Sequence, residues 1–305
     1  MIRWNRSNAR LGRFACALGA LAALVALSIG GCVRRGDDGQ SGGEPGSASG
    51  HPVTVKGSDT MVILVQRWAE KYMAAHAGQT IQVTGGGSGT GIAALVNGTT
   101  DICASSRPMK DVERAQVSEK RSAEAKEVPV ALDALAIYLH ESNAVKELSL
   151  DQIKLIYTGA TTNWKDVGGA DAQIIVYSRE NNSGTYVYFK EHVLANADFM
   201  ASAQTLPGTA AVTNAVARDP NAIGYGGIGY AKGIRLAGVR KTADGEAVAP
   251  TLENAVSGLY PISRFLYFYT AGAPSGSAAA FVQWVLSPEG QAVVGEVGYF
   301  PLPKR

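Results

Sequence analysis

Four times along this chain a short run of β-forming residues ends in a junction of glycine, serine and threonine and passes at once into helical periodicity. "VTVKG" (53–57) leads into "TMVILVQRWAEKYMAAH", and "TIQVTGG" (80–86) into "GTGIAALVNG". "DICASS" (101–106) leads into "PMKDVERAQVSEK", and "QIIVYSR" (173–179) into "TYVYFKEHVLAN". Strands alternating with helices in this way specify an α/β fold with largely parallel sheets. Two further strands are expected at "VPVALDALAIYLH" and "YPISRFLYFYT", and a closing helix pair in "AAAFVQWVLSPEGQAVVGEVGY".

The junctions share one chemistry. The first holds Ser58, Asp59 and Thr60; the second, "GGGSGTG", holds Ser88, Gly89 and Thr90. The third holds Ser105, Ser106 and Arg107, and the fourth sets Arg179 ahead of Ser183, Gly184 and Thr185. A helix N-terminus offers free N–H groups and the positive end of its dipole, and glycine lets a ligand approach the backbone. Arginine adds charge-assisted, bidentate bonds. Helix capping accounts for any single junction, because Ser, Thr and Asp are favoured N-caps. Four together read as the walls of one oxyanion site.

The N-terminus sets the compartment. Arg3, Arg6, Arg10 and Arg13 precede an apolar run from Phe14 to Ile29, and "IGGC" ends at Cys32. This is the charge order of a secretory signal, and the small residues before Cys32 resemble a bacterial lipobox. Segment 1–31 is then a lipoprotein signal peptide, Cys32 the lipidated residue, and 32–51 a Gly- and Ser-rich tether. A retained transmembrane anchor is the alternative. Without the leader's four arginines the net charge of +2 becomes −2, so nothing favours nucleic acid. Only Cys103 remains in the folded part, which excludes an intramolecular disulfide and suggests a buried thiol.

Other chemistry finds little support. "GGGSGTG" fits neither of the glycine-rich nucleotide patterns, and Thr90 stands where G-x-S-x-G needs glycine. His51 lies in the tether, and His76, His140 and His192 lack metal-ligand spacing. No cofactor is implied.

The chain from 53 to 303 resembles the substrate-binding proteins of bacterial high-affinity phosphate ABC importers, a branch of the type II periplasmic binding-protein fold. "GSDTM", "GGGSGTGIAAL", "TDICASSRPM", "LSLDQIKLIYTGATTNWKDVGG", "VYSRENNSGTYVYF" and "NAIGYGGIGYAKG" carry the resemblance, in family order. It implies a two-lobed flytrap with mixed sheets and a double-crossover hinge, closing on inorganic phosphate. Lobe one is expected from 52–134 and 258–305, and lobe two from 135–257. Thr60, Ser88, Arg179, Ser183, Gly184 and Thr185 fall on the family's phosphate-binding positions.

Two departures stand out. Ser106 replaces a family aspartate that accepts the proton of hydrogen phosphate, with Asp59 as a candidate substitute acceptor. Asn181 replaces an aspartate that pairs with the arginine, which would leave Arg179 more of its charge for the ligand. The resemblance implies a non-enzymatic, monomeric, exported lipoprotein serving an importer permease from the periplasmic or cell-surface side of a membrane. The alternatives are a binder of another tetrahedral oxyanion, a phosphate-sensing surface lipoprotein, and a phosphate-ester hydrolase using Ser88 or Ser183.

Overall fold

The computed structural model describes residues 51–303; the leader, Cys32 and most of the tether lie outside the described residues. The first segment runs β1 (Val53–Gly57), α1 (Val62–Ala75), β2 (Ile81–Thr84), α2 (Ser88–Val96), β3 (Ile102–Ser105) and α3 (Asp111–Arg121). A 15-residue strand, β4 (Ala125–Leu139), leads to β5 (Glu147–Ser149), α4 (Leu150–Thr158), β6 (Ile175–Arg179) and α5 (Gly184–His192). Next come β7 (Gln204–Leu206), α6 (Gly208–Val216), β8 (Ala222–Gly227), β9 (Arg235–Arg240), β10 (Ala247–Val248) and α7 (Leu252–Val256). The chain closes with β11 (Ser263–Ala271), α8 (Gly276–Leu286) and α9 (Pro288–Val297).

Two cores explain the two lobes. Trp68, Tyr72, Phe268 and Phe281 pack where α1, α8 and α9 cover one face of the β2-β1-β3-β11 sheet. Tyr157, Trp164, Phe189 and Tyr225 centre the second core, around β8 and β6. β4 joins them. Residues 125–134 pair antiparallel with β11, and from Leu135 onward the strand pairs with β8 and β9 instead. Its burial alternates weakly at the start and is complete from Val130 to Leu139, as a strand passing through both cores requires.

The sheets are mixed rather than largely parallel. β1 pairs parallel with β2 and β3, and β6 with β7 and β8, as βα crossovers dictate. The long strands β4 and β11 run antiparallel to their neighbours, and of the two only β4 pairs in both lobes. Local chemistry places the helix starts. Ser149 and Gln152 form a reciprocal capping box on α4, and Ser287 caps α9 with Pro288 in its first turn. Asn163 accepts from the Lys165 amide at 3.0 Å, starting a single 3-10 turn over Trp164–Val167. The Trp164 indole then donates to the Asn221 carbonyl at 2.9 Å and is buried.

Candidate oxyanion site

The 58–60 loop leaves β1 at Gly57, whose φ of +145° and approach to β3 leave no room for a side chain: a Cβ would stand 2.1 Å from the Ala104 carbonyl oxygen. Two tyrosines then hold the loop's backbone. Tyr230 donates to the Asp59 carbonyl at 2.8 Å, and Tyr299 to the Thr60 carbonyl at 2.5 Å. Burial pushes the Tyr230 phenol up to about 12, so it stays a donor at neutral pH. Thr60 is buried behind them.

Five hydroxyls converge here. Ser88, first residue of α2, lies 3.3 Å from the Ser106 hydroxyl and accepts the Ser106 amide at 3.1 Å. Ser106 Oγ is 3.5 Å from Thr185 Oγ1, which is 2.7 Å from Thr60 Oγ1. Thr60 Oγ1 is in turn 3.5 Å from Thr209 Oγ1. All five residues are buried. Three come from the first core's loops and two from the start of α5 and α6, so the cluster spans the lobes.

Arg179, at the end of β6, lies beside this chain with its side chain 1% exposed. Its Nη1 donates to Thr209 Oγ1 at 2.8 Å and its Nη2 to Asp59 Oδ2 at 2.9 Å, while Nε has no protein partner. Burial depresses its pKa, with Asp59 acting in the opposite direction. A second buried guanidinium, Arg264 of β11, donates through Nη2 to Thr185 Oγ1 at 2.9 Å and pairs with Asp133 of β4 at 3.0 Å. Burial pushes the Asp133 carboxyl up, opposed by Arg264 and the Ile228 amide.

Several sequence expectations need correcting. Arg107 does not join the cluster: it forks onto Glu113 at 2.7 and 2.8 Å and donates to the Pro108 carbonyl. Glu113 sits in the first turn of α3, where a carboxylate favours the helix dipole, so the nearest partner of Arg107 lies in its own segment. Asp59 is not a helix cap, since α1 is preceded by Met61 with no side-chain cap. Its Oδ1 instead accepts the Gly86 amide at 2.7 Å, so both its oxygens are engaged by the protein. Arg179 therefore has a carboxylate partner, contrary to the expectation from Asn181, which is exposed beside the site.

Ser183 caps α5, accepting the Tyr186 amide at 3.3 Å, and places Gly184 and Thr185 in the first turn. Ser58 is buried at the start of its loop and gives its amide to Ala104. Gly89 and Thr90 meet Asn182 of the other lobe: the Gly89 amide donates to its carbonyl at 2.9 Å, and Asn182 Nδ2 reaches Thr90 Oγ1 at 3.4 Å. The histidines are engaged locally, His76 and His192 each at the carbonyl four residues back and His140 at Ser142. Among the described residues no group of three or more His, Cys, Asp or Glu is placed to hold a metal.

Thr209, Arg264 and Asp133 are at the site without having been expected there from the sequence. Thr209 carries the same signature as the other junctions, a Gly–Thr pair after a strand in "QTLPGTAAV". Asp133 and Arg264 were visible as single charges inside apolar strands, where a charge needs a partner.

Comparison with known proteins places the chain in a family. Residues 39–289 match the profile of the PBP superfamily domain. The phosphate-binding protein PstS of Pseudomonas aeruginosa is 37% identical over 266 residues, covering 82% of each chain. PstS of Bacillus subtilis is 33% identical, covering 87% of this chain and 84% of its own. Among solved structures, a Clostridium perfringens protein assigned as a phosphate ABC transporter substrate-binding protein, with phosphate bound, is 31% identical. It superposes with a TM-score of 0.75 over 83% of this chain and 100% of its own. A two-lobed α/β fold, a hydroxyl-lined interlobe site and these likenesses lead to one conclusion: the chain belongs to the PBP superfamily and, within it, to the PstS phosphate-binding protein family.

Proposed function

We propose that this protein captures inorganic phosphate between its lobes and releases it, chemically unchanged, to the permease of an ABC importer. The observation that carries this reading is the buried row of five hydroxyls beside Arg179, built from both lobes. A desolvated oxyanion needs nearly every oxygen hydrogen-bonded. Hydroxyls of Thr60, Ser88, Ser106, Thr185 and Thr209, the first-turn amides of α5 and the Arg179 guanidinium offer donors from several directions. Neutral donors dominate, and Asp59 offsets the charge of Arg179, so the site binds by many directed bonds rather than by excess charge.

The proposed lobes are 52–134 with 258–305, and 135–257; the change of β4 partners after Ala134 supports the first boundary. Closure is supported by bonds independent of the hydroxyls. Asn182 Nδ2 donates to the Gly86 carbonyl at 3.1 Å, and Lys110 pairs with Glu191 at 2.9 Å. Lipidation at Cys32 would tether the binding domain on the extracytoplasmic side of a membrane. None of the described helices is long and apolar enough to cross one.

The test is calorimetric titration of ligand-stripped protein with phosphate and then sulfate, on both sides of phosphate's second ionisation. Tight one-to-one phosphate binding, sulfate silence and no turnover of phosphate esters are expected. Equal sulfate binding would reassign the ligand to tetrahedral oxyanions in general, with the Ser106 hydroxyl unable to repel an unprotonated anion as a carboxylate would. Absence of phosphate heat would refute the reading.

A further inference from the structure

Asp133 and Arg264 face each other as cross-strand partners on β4 and β11, one residue before β4 changes lobes. Both are buried, Asp133 completely. Asp133 Oδ2 accepts from Nε and Nη2 of Arg264 at 3.1 and 3.0 Å, and its Oδ1 from the Ile228 amide at 3.0 Å. That set satisfies the carboxylate. The arginine is left over-provided: Nη2 also donates to Thr185 Oγ1, and Nη1 is buried with no protein partner. The Tyr188 ring, 5.2 Å from the guanidinium carbon, holds the fork in place.

The bond to Thr185 has a directional consequence. A hydroxyl has one proton, so a threonine that accepts from a guanidinium must donate elsewhere. Thr185 is thereby turned outward into the hydroxyl cluster, as Thr209 is by Arg179 Nη1 on the other side. Each guanidinium orients one threonine, and each is balanced by one aspartate.

Resting on the phosphate-capture reading, we propose that Arg264 is a second ligand-binding cation. It directs the Thr185 proton at the oxyanion and presents its own Nη1–H to it. Because its carboxylate partner Asp133 stands on β4, the strand that passes between the lobes, ligand binding is linked there to the hinge.

The test uses Asp133→Asn/Arg264→Gln, which removes both charges together and so leaves no lone buried charge. Phosphate affinity by calorimetry is expected to fall about 30-fold or more, the scale of one or two charge-assisted bonds. Affinity within about 3-fold of the parent in a folded double variant would overturn the proposal. Should that variant fail to fold, the parent protein decides: its arginine side-chain NMR signals are followed through a phosphate titration, with Arg264 assigned through Arg264→Lys. A shifted, exchange-protected Arg264 signal at saturation supports ligand contact, and an unmoved one overturns it. A parent protein that binds no phosphate would instead refute the functional reading itself.

Discussion

Replacing Gly184 with alanine separates lobe closure from folding. Gly184 opens α5 within one lobe, and a Cβ there would stand 2.3 Å from Ser88 Oγ and 2.8 Å from Ser106 Oγ of the other. Ordinary contact begins near 3.4 Å, so the loops must part by about 1 Å or Ser88 must turn away from the Ser106 amide. Parting by about 1 Å carries the 2.7 Å Thr60–Thr185 contact beyond hydrogen-bonding range. Loss of two or three bonds at about 0.5–1.5 kcal/mol each weakens phosphate binding by roughly 5- to 2,000-fold. Within its own lobe the added methyl is harmless, since alanine is the better helix former. The ligand-free Tm should therefore be unchanged or higher, while calorimetry shows weak binding and small-angle scattering shows no phosphate-induced compaction. Gly295→Ala, with open space at its Cβ, is the matched control and should bind normally. Gly184→Ala that binds within about 3-fold of the parent and still compacts would refute the reasoning.

The Arg107–Glu113 pair should matter for stability but not for the ligand. Burial pushes the Glu113 carboxyl up, but bonds from Arg107 and the Lys110 amide outweigh it and hold the pKa below the usual range. A depressed acid stabilises the fold above its unfolded pKa, about 4.3, and loses that contribution as pH falls through the folded value. Glu113→Gln should thus lower Tm at pH 7, with the gap to the parent closing as pH falls below the ordinary glutamate range, and leave phosphate affinity intact; a tenfold affinity loss would return Arg107 to the site. Cys103 is buried on β3 and burial pushes its thiol up, so it should resist a thiol reagent in the native protein and react on denaturation. Rapid native labelling would show that β3 opens.

Most elements could be read from local patterns. α1, α2, α5, β6 and the α8–α9 pair follow from periodicity and junction residues within a few positions of themselves. The aromatic runs "YVYF" and "FLYFYT" supply packing: Phe189 and Phe268 are in the two cores, and Tyr269 donates to Glu127 at 2.6 Å. The sheet's mixed character was less legible, because the βα rhythm describes β1–β3 and β6–β8 but is silent on β4 and β11, whose pairing joins residues more than a hundred positions apart. Short elements such as β5, β7 and β10 carry too few residues for any period to register.

By itself the sequence determined the repeated strand–hydroxyl–helix units, and with them the α/β class and five of the six junction hydroxyls and cations that meet at the site: Thr60, Ser88, Ser106, Thr185 and Arg179. Capping, periodicity and glycine's freedom act over a handful of residues, so their outcome is written locally. Tertiary structure alone decided how the charges pair. Arg107 took a carboxylate six positions away, Arg179 one 120 positions away, and Arg264 one 131 positions away. A buried charge must find its counter-charge wherever packing brings one within about 3 Å, and for Arg179 and Arg264 that distance exists only once segments far apart in the chain have packed together.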